Sequence, residues 1–310
     1  MNPVKTGVVG VGAMGKNHAR IYAELENSEL TAVCDSDLDR AKEIADEYGG
    51  KPVTDLAEFA ELVDAATVAT PSVTHREIGQ QLLKAGVHCL IEKPIADNPE
   101  DARALVDLAH EHGCLLQVGH IERFNPVLGK LEERLTSPKF IEVHRLSPFP
   151  NRSMDVGVVL DVMIHDLEIV LHLVKSPIAN IDAVGVPVLT QREDIANARI
   201  RFDNGCVANI TASRISPEKM RKIRVFQSDA YLSLDYQAQE GKMMRKEGMQ
   251  IIPEEVVVEK DEPLKLELSS FVDCVSQGSG PKVSGAQAAA ALEVAIQITE
   301  LIAEGDNPLS

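Results

Sequence analysis

The stretch LIEKPIADN, residues 90–98, ends an apolar run in Glu92, Lys93 and Pro94. An ammonium just past the carboxyl end of a parallel strand lies where α/β proteins take their ligands. There it can donate a hydrogen bond to an oxygen that gains negative charge. The other reading is a lysine that only solvates a strand end. A second candidate lies in VVLDVMIHDLEIVLHLV, a segment apolar on most sides and therefore expected to be a largely buried helix. Asp161 and His165 stand four positions apart in it, which puts them one turn apart on one helix face. A buried carboxylate beside an imidazole orients the ring and stabilises its protonated form, which suits a general acid/base. The same spacing also serves a purely structural contact. It is the company of Lys93 and a nucleotide loop that favours chemistry.

That loop is Gly10-Val11-Gly12-Ala13-Met14-Gly15, which follows the apolar run Val8–Val9 and opens a segment with Ile21 and Leu25 at helical spacing. The first glycine permits a tight turn, the second lets a pyrophosphate approach the backbone, and the third lets helix and strand pack closely. The helix N-terminus then offers free N–H groups and the positive end of its dipole to the phosphates. The next apolar run, LTAVCD, ends at Asp35, twenty residues after Gly15. An acid there accepts hydrogen bonds from the adenosine ribose and repels a 2′-phosphate, which favours NAD over NADP. Ser36 and Arg40 nearby soften that preference.

The first 120 residues alternate short apolar runs with helical segments of ten or more residues. This implies a doubly wound α/β domain with a parallel sheet covered on both faces. The strand ends should form one rim from the Gly10–Gly15 loop, Asp35, Thr70–Pro71, Glu92–Lys93 and Gly119–His120. His75 and His120 are expected to flank the nicotinamide ribose. His18, near the start of the first helix, reads as a solvated histidine. The dinucleotide-binding domain is placed at residues 1–122. Residues 123–310 form a second α/β domain, whose β-rich runs after residue 176 and the hairpin signal at 203–205 imply a large, mainly antiparallel sheet. Such a sheet leaves an open face, so a homodimer or homotetramer built through it is expected.

Composition bounds the function. The chain has 310 residues and a net charge of −17, which opposes nonspecific nucleic-acid binding. Residues 123–224 are the exception, with 15 Lys+Arg against 12 Asp+Glu, and this hints at an anionic small molecule. Arg123, Asn125, Arg145 and Arg152 are expected around it. The arginines are candidates for a diphosphate because their forks match phosphate oxygens; the alternative is ion pairs within the fold. The five cysteines are scattered with no CxxC pair, so no metal site is expected and a reducing, cytoplasmic setting is. The start lacks the layout of a signal peptide, and no apolar run is expected to approach the roughly 18 residues of a membrane span.

The glycine loop, the stretch TPSVTHREIGQQLLKAGVHCLIEKPIA and the later LDVMIHDLEIV resemble the Gfo/Idh/MocA oxidoreductases across essentially the whole chain. The resemblance implies a Rossmann domain followed by an α/β domain with a large antiparallel sheet, and oxidation or reduction of a carbinol carbon in a sugar, cyclitol or nucleotide sugar. VGHIERFNP and HRLSPFPNRSMDVGVVLDVMIHDLEIV resemble a narrower subgroup associated with lipopolysaccharide precursors, which includes enzymes that oxidise UDP-N-acetylglucosamine at C3. Two rivals stand beside that expectation: a dehydrogenase of a free sugar or cyclitol, and a nonenzymatic NAD sensor on the same fold. A sensor should have lost Lys93, Asp161 or His165, and all three are present.

Overall fold

Val4–Val9 forms β1, whose burial is continuous over its last four residues because the strand is covered on both faces. The chain turns at Gly10, with φ of 84°, and enters α1, Ala13–Glu24. The computed structural model describes residues 2–149 and 156–305. The alternation continues with β2 (Ser28–Cys34), α2 (Leu38–Tyr48), β3 (Lys51–Val53), α3 (Leu56–Ala60), β4 (Ala65–Val68), α4 (His75–Lys84), β5 (His88–Glu92), α5 (Pro99–Glu111) and β6 (Leu116–Gly119). These six strands are parallel, in the order β3-β2-β1-β4-β5-β6. The order reverses between β1 and β4, the position where doubly wound sheets bind ligands.

The chain divides into two units. One holds Met1–Ile121 with Glu262–Ala290, the other Glu122–Asp261 with Ala291–Ser310. This corrects the expectation that residues 123–310 stay together. The reason is α8, Pro263–Gln277. Its Leu264, Leu268, Phe271 and Val272 lie at helical spacing and join Val4, Val8, Ile21, Tyr22 and Leu90 in one core. Apolar burial returns the helix to the first unit from far along the sequence.

In the second unit the chain runs through α6 (Pro126–Glu132) and β7 (Phe140–Leu146) to a wide π-turn, Val159–Met163, which leads into α7 (Ile164–Val174). Seven more strands follow: β8 (Ile178–Val186), β9 (Ile195–Phe202), β10 (Val207–Ser213), β11 (Met220–Phe226), β12 (Ala230–Asp235), β13 (Glu240–Glu247) and β14 (Gln250–Val256). They make, with β7, an eight-stranded sheet in the order β14-β13-β12-β11-β7-β10-β9-β8. Within this sheet only β7 and β10 pair in parallel among the described residues. Asn204 and Gly205, with φ of 82° at the glycine, turn β9 into β10. Pro253, which lacks a ladder donor, sits in β14 at the edge of the sheet.

The last helix, α9 (Gly285–Gly305), is long and apolar enough to cross a membrane by length and composition. This corrects the expectation that no apolar run approaches a span: Gln, Glu and Thr interrupt the run in sequence without lowering its mean hydropathy below that of a spanning helix. In the protein Ala288, Ala291, Leu292, Ala295 and Ile298 of this helix are buried, as in a core helix.

Candidate functional site

The glycine loop is shaped by steric demands that differ at each glycine. A Cβ at Gly10 would lie 2.6 Å from the Thr70 side chain, and one at Gly15 would overlap the Gly10 carbonyl. The chain itself therefore requires the first and third glycines. A Cβ at Gly12 would meet nothing within 4 Å. The space it would enter is open, and this is the position where a pyrophosphate approaches. Gly12 is also the N-cap of α1 and supplies no side-chain cap, whereas Asp37, Asp55, Asn98 and Asn125 cap their helices. The first N–H groups of α1, at Ala13, Met14 and Gly15, are thus left for an anion. The residues fit a dinucleotide.

Asp35 follows β2. Its Oδ2 accepts the Val11 N–H at 2.9 Å and its Oδ1 the Asp37 N–H at 3.0 Å, while Arg40 Nη1 lies 3.2 Å from Oδ1. Burial would raise the carboxyl's pKa. The two backbone donors and the Arg40 charge outweigh it and hold the group below its ordinary value. Asp35 thus stays ionised beside the glycine loop, with a half-exposed guanidinium within reach of the same place.

At the end of β4, Thr70 accepts a hydrogen bond from the Thr74 hydroxyl and Pro71 stands exposed. His75 is buried. Its Nδ1 lies 2.8 Å from the Pro94 carbonyl and its Nε2 2.9 Å from the Thr70 carbonyl. The ring straps the ends of β4 and β5 together, which places the half-buried Lys93, in a cis Lys93–Pro94 peptide, between tethered neighbours. On its other side Glu92 lies against Gly119, where a Cβ would come within 2.8 Å of Oε2, and accepts the Lys93 N–H at 3.3 Å. His120, next along from Gly119, is buried. The expected rim is therefore one edge of one sheet.

His18 overturns the expectation of a solvated residue. It is fully buried on α1, with Nε2 at 3.1 Å from Glu92 Oε1 and Nδ1 at 3.2 Å from Thr67 Oγ1, which in turn lies 2.7 Å from the Tyr22 hydroxyl. The available signal was that His18 and Tyr22 are four apart on the face that carries Ile21 and Ala19 inward.

In the second unit Asp161 lies within the π-turn and His165 at the start of α7, both half-buried. The wide turn ends at Met163, so Asp161 stands in its middle and His165 just beyond it.

The expected diphosphate arginines take other partners. Arg145 is buried, with Nε and Nη2 donating to Asp166 at 2.7 and 2.9 Å and Nη1 to Glu122 at 2.9 Å. Burial disfavours its charge, and the two carboxylates more than restore it. Arg123, equally buried, donates to Glu168. Asn125 caps α6 and donates to the Tyr236 carbonyl at 3.0 Å. These three side chains are committed to the fold, which corrects their assignment to a substrate. The Arg145 guanidinium, bonded through Nε, Nη1 and Nη2 to two carboxylates, has no open fork for a phosphate. Arg152 lies outside the described residues.

Comparison with known proteins follows the same division. The model of the oxidoreductase family GFO_IDH_MocA, NAD-binding Rossmann fold, matches residues 4–120, and that of the GFO/IDH/MocA C-terminal domain matches residues 134–233. Over 234 residues the chain is 39% identical to UDP-N-acetylglucosamine 3-dehydrogenase of Acidithiobacillus ferrooxidans, covering 75% of this chain and 74% of that protein. It is 27% identical over 325 residues to scyllo-inositol 2-dehydrogenase (NAD(+)) of Bacillus subtilis, covering 97% and 95%. A solved structure of the Acidithiobacillus ferrooxidans UDP-N-acetylglucosamine 3-dehydrogenase matches with a TM-score of 0.92 at 34% identity, over 97% of this chain and 98% of that one.

Proposed function

The chain belongs to the GFO/IDH/MocA family of NAD-binding oxidoreductases, and from that premise we propose that it oxidises a sugar nucleotide of the UDP-N-acetylglucosamine kind at C3, with NAD as the cofactor. Bound NAD supplies the hydride acceptor. His165 takes the hydroxyl proton as the C–H hydride leaves, so that alcohol becomes ketone. Asp161 orients the imidazole and favours its protonated form. Lys93 donates a hydrogen bond to the reacting oxygen as negative charge develops there. Asp35 receives the adenosine ribose, and the open space at Gly12 receives the pyrophosphate.

The observation that carries the substrate reading is the likeness to UDP-N-acetylglucosamine 3-dehydrogenase across both units. One observation favours a second reading, a free cyclitol: the near full-length likeness to an inositol dehydrogenase, joined to the inward commitment of Arg123 and Arg145. NADH formation at 340 nm with UDP-N-acetylglucosamine, UDP-glucose, scyllo-inositol and glucose separates them. Turnover of the acetylated sugar nucleotide alone is the expected result; turnover of inositol alone overturns the substrate, and no turnover of any hydroxyl compound overturns the catalytic reading. His165→Ala should lower kcat by about 10²–10⁴-fold while NAD still binds.

The same reading includes assembly through the second sheet, supported by Val184 and Val186, which stand exposed on one face of β8. A homodimer or homotetramer in sedimentation is the expected result, and a monomer at micromolar concentration overturns it. A cytoplasmic setting fits the five cysteines, which are all free thiols.

A further inference from the structure

The segment that bears Asp161 and His165 opens on one α-turn, with the Asp161 N–H donating to the Gly157 carbonyl at 3.1 Å, and then widens into a π-turn. The Ile164 N–H donates to the Val159 carbonyl five residues back. Such wide turns inside helices are uncommon and need something to hold them. What holds this one comes from the connection between β8 and β9. Glu193, which is buried, accepts the Val159 N–H on Oε1 at 3.2 Å, and its own carbonyl accepts the Val158 N–H at 2.9 Å. Its neighbour Asp194 accepts the N–H groups of Val188, Leu189 and Thr190 and the Arg214 Nε at 2.9 Å. Arg214, fully buried, then donates from Nη1 to the Val156 carbonyl at 2.7 Å. Peptide groups at 156, 158 and 159 are all tied to this one clamp. Between them Gly157 is a seat: a Cβ there would overlap the Glu193 carboxylate.

We propose that Glu193, seated against Gly157, is a positioning residue for Asp161 and His165. In a regular helix each residue advances about 100° around the axis. Collapse of the wide turn to an α-turn would increase the advance per residue over the 159–163 segment and so turn Asp161 about the axis relative to His165. The Glu193 oxygen pins the first N–H of the π-turn and so holds the register in which the two side chains meet the substrate. This rests on the catalytic reading of Asp161 and His165 given above.

The test compares Glu193→Ala, Glu193→Gln and Gly157→Ala with the parent and with His165→Ala. Glutamine keeps an oxygen to accept the Val159 N–H; alanine does not. Glu193→Ala should lower kcat by roughly 10²-fold, the scale of a 1 Å misplacement, with the KM for NAD unchanged, and Glu193→Gln should recover most of the loss. Gly157→Ala should lower kcat in the same way. A parental kcat in folded Glu193→Ala overturns the inference. So does equal loss in the alanine and glutamine variants, or a rise in both KM values without a fall in kcat. If Glu193→Ala does not fold, Gly157→Ala and Glu193→Gln decide: parental kcat in Gly157→Ala, or no recovery in Glu193→Gln, overturns it. Failure of the catalytic reading shows separately, as parental turnover in His165→Ala.

Discussion

His18 Nε2 lies 3.1 Å from Glu92 Oε1, so a buried imidazole on the first helix holds the carboxylate that precedes Lys93. Burial would raise the Glu92 pKa; the His18 hydrogen bond and the Lys93 charge lower it below the ordinary value. A lowered acid contributes stability above its unfolded pKa and loses it as pH falls through the folded value. His18→Ala leaves the half-buried Glu92 with one partner gone. It should cost about 1–3 kcal/mol in denaturant unfolding at pH 7, the cost shrinking towards pH 3, and it should lower kcat through Lys93. Equal stability of parent and variant at pH 7 would contradict this.

Asp35 and Arg40 face one another at the expected ribose position, 3.2 Å apart. Asp35→Ser removes the acceptor for the ribose and leaves the Arg40 guanidinium for a 2′-phosphate. Affinity for NAD should fall by about tenfold or more, the scale of a hydrogen bond to a charged group, and affinity for NADP should rise relative to it. Titration of both dinucleotides against cofactor fluorescence measures the ratio, and an unchanged ratio refutes the assignment of Asp35.

Glu267, on α8, is fully buried, and neither carboxylate oxygen has a hydrogen-bond partner among the described residues. Burial and the nearby Glu92 charge push its pKa well above the usual carboxylate range. The folded protein therefore holds a proton that the unfolded chain releases above about pH 4.3. Between those values stability falls as pH rises, by up to about 1.4 kcal/mol per pH unit. Glu267→Gln keeps the shape without the ionisation and should flatten that decline. Unfolding of both proteins at pH 5, 7 and 9 measures it; parallel curves would mean that Glu267 does not carry the proton.

Arg145 joins Asp166 and Glu122 in a buried cluster. Removing one partner of such a cluster leaves uncompensated charge, so Arg145→Ala should cost about 3–5 kcal/mol of stability. Its primary effect is on folding, and a folded Arg145→Lys should keep its KM for a sugar nucleotide. Parental stability with a raised KM would return Arg145 to the substrate.

Local features are legible along the chain: the alternation of strands and helices, the glycine turn before α1, the acid after β2, the hairpin at Asn204–Gly205 and the charges around Lys93. Each follows from periodicity or from the sterics of a few neighbouring residues, so nearby sequence carries it. Which groups pack together emerges only in the folded chain. His18 meets Glu92 across 74 positions, Arg145 turns to Asp166 rather than outward, Glu193 reaches Val159 from another connection, and α8 returns to the first unit's core. Those outcomes depend on burial: an ionisable group out of water must find whichever partner the folded chain brings to it, and no spacing along the sequence says which one that is.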